Sequence, residues 1–181
     1  PTLHLASKEC ILDPPPPNLT IFFAWQSEYK PSRNILSDVV PAVVSELNAQ
    51  SDLLRPLELV QATEAGEGAL RIDVAIQEKI KHADYFIGDL TPVYAYKSRL
   101  RVNENVLVET GYALASKPSS RIILAAMNGH SVEGDGAPNP QPAFDIGHVR
   151  RLRFERKSDA KSKIASELRA MLNTDGWFKK S

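Results

Sequence analysis

Short apolar runs rich in β-formers alternate along this chain with stretches whose apolar residues recur every three to four positions, and nothing else in the sequence constrains the fold as strongly. Leu19 to Trp25, Leu57 to Gln61, Tyr85 to Leu90 and Arg121 to Ala126 read as buried strands, and Val149 to Phe154 as an edge strand. Ile35, Leu36, Val39, Val40, Val43, Val44 and Leu47 form one wide stripe on the helix that follows the first strand. Pro41 inside that stripe predicts either a kink or the true first turn. A second helix is predicted over Leu70 to His82, with Ile72, Ile76 and Ile80 inward. A third runs from near Asn105 to Ser116, and a last one over Ala160 to Leu172.

Strands separated by helices must pair in parallel through right-handed crossovers. The expected architecture is therefore α/β, a flavodoxin-like, doubly wound and mainly parallel sheet of five strands. Its expected order is 2-1-3-4-5, with helices on both faces. With 181 residues, 43% of them apolar, the chain is of a size for one core, assigned to residues 19–181. Before it, residues 1–18 read as an arm ending in the stiff spacer Pro14-Pro15-Pro16-Pro17. Gly66 and Gly68 mark a flexible loop, Gly129 to Pro142 a Gly/Pro-rich one, and Thr91 to Asn103 a long loop of the kind that often serves as a lid.

Composition narrows the function classes. Lys plus Arg and Asp plus Glu both total 22, so no excess of positive charge marks a nucleic-acid binder. The basic tail, with Arg150, Arg151, Arg153 and Arg156, reads as a solvated edge. One cysteine and four scattered histidines offer neither a disulfide framework nor a metal site. No apolar run is long enough to span a bilayer, and a cytoplasmic protein without membrane contact is expected.

In such a sheet ligands bind beyond the carboxyl ends of the strands, where the strand order reverses. Three distant stretches should meet there: Trp25-Gln26-Ser27 after the first strand, Asp89 ending the third, and the start of the third helix. On that helix Glu109 shares a side with Asn105 and Tyr112. Each residue also has a plainer reading. A glutamate near a helix start favours the positive dipole end, a tryptophan at a strand end packs the core, and Asp89 caps the turn at Thr91-Pro92. The acidic pair of a receiver domain, the phosphate loop of a flavodoxin, and the GxxxxGK[ST] and GxGxxG signatures are all missing.

Phe22-Phe23-Ala24-Trp25-Gln26-Ser27, Ala83 to Thr91 and Asn105-Val-Leu-Val-Glu-Thr-Gly-Tyr-Ala113 together resemble bacterial TIR-like domains, which belong with the group that includes nucleoside deoxyribosyltransferases. Ala143 to Arg151 is similar to a run near the end of many such domains. Two positions depart from the pattern: Thr110 stands where leucine is more usual, and Asn105 where many TIR NADases carry tryptophan. The resemblance implies that Glu109 is the catalytic carboxylate of an NAD+ glycohydrolase, with NAD+ as substrate and no cofactor. It also implies self-association, and a sensor domain or partner protein, in an effector of anti-phage defence. Trp25 and Tyr112 would then give stacking surface, Gln26, Ser27 and Asn105 hydrogen bonds, and Asp89 would orient Glu109 or hold a ribose hydroxyl. Arg99 and Arg101 would meet a pyrophosphate or form a solvated loop face. A deoxyribosyltransferase or N-glycosidase using the same glutamate, and a non-catalytic assembly or nucleotide-sensing module, stay open at this stage.

Overall fold

Strand residues point alternately to the two faces of a sheet, and in this chain both directions lead into apolar packing. Leu19, Ile21 and Phe23 of β1 (Leu19–Ala24) join one core cluster, and Phe22 and Ala24 join the other. Tyr85 and Ile87 of β3 (Tyr85–Asp89) are divided from Phe86 in the same way. A sheet covered on both faces explains why these strands read as continuous apolar runs rather than as alternation.

The computed structural model describes residues 18–62, 72–96, 99–128, 141–142 and 151–179. Most of the N-terminal arm, the Gly66–Gly68 loop, most of the Gly129–Pro142 loop and nearly all of the Ala143–Arg151 run lie outside the described residues. The main sheet adds β2 (Leu57–Val60), β6 (Ile122–Met127) and β8 (Arg151–Phe154), in the order β2-β1-β3-β6-β8. Counting only these five strands, that is the expected 2-1-3-4-5. All four pairings are parallel, with registers such as Leu19↔Leu57, Ile21↔Tyr85, Phe86↔Ile122 and Leu124↔Arg151.

Helices α1 (Lys30–Asn48) and α4 (Lys157–Thr174) cover one face, through Leu36, Val40 and Leu47 from α1 and Ile164, Leu168 and Leu172 from α4. Helices α2 (Ile72–His82) and α3 (Glu104–Ser116) cover the other, where Ile80, Val106 and Ala113 meet Phe22, Phe86 and Leu124. The rings of Phe22 and Phe86 stack on that face with centroids 5.9 Å apart. Pro31 occupies the first turn of α1, where its missing N–H costs nothing. Pro41 lies well inside the helix at an exposed position, so it does not mark the first turn.

One expectation needs correction. The stretch from Thr91 to Asn103 is not a structureless loop, because it contains β4 (Tyr94–Tyr96) and β5 (Arg99–Arg101), paired antiparallel. With β7 (Gln141–Pro142) beside β5 they form a separate three-stranded sheet in the order β4-β5-β7. The alternation spans only three residues: Ala95 is buried between the exposed Tyr94 and Tyr96, a period of two.

Candidate active site

The first turn of α3 sets the site. Asn103 caps it, its Oδ1 accepting from Val106 N at 3.0 Å, which satisfies one of the orphan amides of the helix start. Tyr94 Oη donates to Glu104 Oε1 at 2.9 Å and ties the β4–β5 hairpin to the same turn. Gly88 on β3 lets the helix lie close. A Cβ there would fall 2.9 Å from the Phe86 ring and 3.2 Å from Thr110 Oγ1. Thr110 is buried against this strand, and its hydroxyl has no hydrogen-bond partner among the described residues.

A cleft of about 470 Å³ opens beside α3. Its floor is the carboxyl end of β1 with the residues that follow, Phe23 to Ser27. One wall is Ala62 with Ile76, Gln77 and Ile80 of α2, and the other is Asn103 with Asn105, Val108, Glu109 and Tyr112 of α3. The volume lies within the range of roughly 300–1,000 Å³ usual for small-molecule sites, and the position is the reversal point of strand order. Of the seven residues anticipated from the sequence, six line this cleft: Trp25, Gln26, Ser27, Asn105, Glu109 and Tyr112.

Glu109 is half-buried on the α3 wall. Burial pushes its carboxyl up from the ordinary 4.5 to about 7, with no opposing hydrogen bond or cation among the described residues. A carboxylate that serves only to offset the helix dipole sits in the first turn, whereas Glu109 is the sixth residue of α3. This one is aimed at a cavity and titrates near neutrality, the property of a group able to exchange protons or to stabilise a developing cation.

Asp89 is the seventh, and the structure sets it apart. It is fully buried and is not part of the cleft lining. Ser32 Oγ donates to its Oδ2 at 2.7 Å and Thr91 N to its Oδ1 at 3.0 Å. Ser32 Oγ lies 2.8 Å from Thr91 Oγ1, which in turn accepts from Met127 N. Burial raises the Asp89 carboxyl, and hydrogen bonds from Thr91, Ser32 and Gln26 act against it. The carboxylate therefore ties together the carboxyl ends of β3 and β6 and the start of α1. With both oxygens hydrogen-bonded and no exposed surface, it is closed off from the cleft that Glu109 lines.

Gln26 also differs from a free hydrogen-bonding group. Its Nε2 donates to Tyr29 O at 3.1 Å and its Oε1 accepts from Tyr29 N at 2.7 Å, so the amide shapes the turn into α1. Trp25 has both expected characters: half-buried, it packs against the α1–α4 core and also lines the cleft, with the Arg33 guanidinium 5.2 Å from its ring centre. Arg101 lies on β5 near Tyr94 and Glu104, away from the cleft lining, and the side chain of Arg99 is outside the described residues. Gln77 and Val108 went unnoticed in the sequence. Both sit on helix faces that periodicity assigns to solvent, and only the α2–α3 gap turns those faces into walls.

Among the described residues no group of histidine, cysteine and carboxylate side chains is arranged to hold a metal ion, and no helix is long and apolar enough to cross a membrane. No protein-family model matches the chain, and no curated protein sequence matches it. Among solved structures, the CMP N-glycosidase BcmB of Clostridium botulinum is similar over 80% of this chain and 96% of its own, at 14% identity and a TM-score of 0.49. Neither figure is high enough to transfer chemistry, which rests here on the cleft residues themselves.

Proposed function

We propose that this chain cleaves the bond between nicotinamide and ribose in NAD+, with Glu109 as its catalytic carboxylate. The observation that carries the reading is the Glu109 carboxyl, unpartnered among the described residues and raised to about 7 by burial, on the wall of a cleft at the switch point. In NAD+ the pyridinium ring is already cationic. As the N-glycosidic bond breaks, its electron pair returns to the ring nitrogen and nicotinamide leaves neutral. No general acid is needed, unlike the two-carboxylate arrangement of ordinary glycosidases. Positive charge develops on the ribose at C1′, and one ionised carboxylate in a poorly solvated cleft stabilises it. Water then adds at C1′ and gives its proton to Glu109, leaving ADP-ribose. Trp25 and Tyr112 supply flat apolar surface, and Ser27 and Asn105 supply polar contacts at the rim.

A second reading rests on the same raised carboxyl. Half-protonated near pH 7, Glu109 can donate its proton to a neutral leaving base, as a nucleoside N-glycosidase or deoxyribosyltransferase requires. The sequence resemblance extends the first reading to an effector that works in self-associated form in bacterial antiviral defence. Incubating the purified chain with NAD+ and, separately, with deoxynucleosides, with and without a crowding agent, tests these readings by chromatography of the released base. Nicotinamide release that rises per molecule with protein concentration supports the assembled NAD+ glycohydrolase. Release from deoxynucleosides alone replaces it with the second reading.

A further inference from the structure

Three residues of α2 face the cleft, and they differ in chemistry. Ile76 and Ile80 are apolar, whereas Gln77 between them carries a carboxamide. It is half-buried, and among the described residues nothing hydrogen-bonds that group. The other amides of the cleft are committed or outside. Gln26 spends both its oxygen and its nitrogen on Tyr29, Asn103 Oδ1 caps α3, and Asn105 stands exposed at the rim. Gln77 thus offers an acceptor and two donors on the wall facing α3, beside the apolar Ile76 and Ile80. An amide at a cleft wall without a protein partner can exchange its bonds to water for those of a ligand that brings the complementary set.

We infer that Gln77 is a specificity-determining residue that reads the amide edge of the leaving base, an inference that rests on the NAD+ reading above. A planar ring lodged against Ile76 at the carboxyl end of β1 would present its carboxamide to Gln77. Two primary amides can exchange N–H···O bonds in both directions. Rings of the same size without the amide N–H lose half of that pairing, and the partner on the protein is then left unpaired, which makes such a site selective.

The test uses the 3-acetylpyridine analogue of NAD+, in which a methyl group replaces the amide nitrogen. Gln77→Met keeps the length and helix propensity of the side chain, so circular dichroism should show an intact fold. Its kcat/KM on NAD+ should fall by about tenfold and on the analogue by no more than about threefold, the scale of one neutral hydrogen bond. Dividing one ratio by the other cancels the different intrinsic reactivity of the two leaving groups. Gln77→Asn, which keeps the amide but draws it back by one methylene, should show the same loss of discrimination. Equal losses on both substrates overturn the inference, because a purely structural glutamine does not distinguish them. NMR titration with free nicotinamide and free 3-acetylpyridine makes the same comparison without turnover. There, equal weakening by the substitution overturns the role of Gln77, while inactivity of the unmodified protein on NAD+ bears only on the proposed reaction.

Discussion

Replacing Glu109 with glutamine removes a charge from the cleft while keeping the shape of the side chain, and two opposite consequences are expected. In the folded protein the carboxyl titrates at about 7 instead of 4.5, because burial penalises its charged form. The folded state therefore holds the proton more tightly than the unfolded chain does. The stability linked to this proton is fully present below pH 4.5 and is lost as pH rises through 7. At 1.36 kcal/mol per pH unit the upper bound is ~3 kcal/mol. Water reaching the half-buried group reduces this to about 1–2 kcal/mol. Glu109→Gln carries no such penalty, so at pH 8 it should be more stable than the unmodified protein by about that amount, a rise in Tm of roughly 2–8 °C. Near pH 4.5 the difference should almost vanish. Turnover at pH 8 should fall at least about 100-fold, since a neutral amide does not stabilise the ribosyl cation, and the gap should close toward pH 4.5, where Glu109 is itself protonated. Thermal melts and urea titrations at both pH values, with nicotinamide release measured in parallel, check the two effects together. A variant less stable than the original at pH 8 would show that Glu109 supports the fold, and the catalytic reasoning would fail.

The pH profile separates the two enzymatic readings: for NAD+ cleavage kcat/KM should climb through about pH 7 and level off as Glu109 ionises. A profile that falls above pH 7 instead identifies a proton donor and a neutral leaving base. Trp25→Ala should raise KM about tenfold and lower stability by only about 1–2 kcal/mol, less than a fully enclosed tryptophan would lose, because one side of the indole faces the cleft. An unchanged KM together with a larger loss of stability would assign Trp25 to the core alone. Asp89→Ala should destabilise by roughly 2–4 kcal/mol, because Ser32 and the Thr91 amide lose a buried acceptor. Denaturant midpoints measure this, and a variant that keeps its stability while losing turnover would return Asp89 to the chemistry.

How much of this was legible beforehand depends on whether the signal is local. A buried parallel strand is a continuous apolar run whatever it packs against, so β1, β3 and β6 stand out within a few residues. The alternation of such runs with amphipathic helices, joined to the right-handedness of crossovers, leaves few sheet orders, and β2-β1-β3-β6-β8 follows. The order in turn determines where a ligand can sit, so six side chains of the cleft were recognisable by position alone. The β4–β5 hairpin escaped because strands of three residues carry too little periodicity to separate from a polar loop.

What the tertiary structure alone decided is which of several similar polar groups stays available. Asp89 and Glu109 are both carboxylates expected at the same edge, and Gln26 and Gln77 are both glutamines bordering the same cleft. Asp89 is consumed by Ser32, a residue 57 positions away, and Gln26 by the turn it closes, whereas Glu109 and Gln77 face the cavity without hydrogen-bond partners among the described residues. Hydrogen bonding and desolvation depend on which atoms meet in space, and those meetings join segments whose separation along the chain carries no local mark. The sequence by itself determined the sheet and the place of the cleft, because both follow from patterns repeated along the chain. Burial and pairing in three dimensions decided that Glu109, and not Asp89, lines the cleft with a carboxyl that has no hydrogen-bond partner among the described residues.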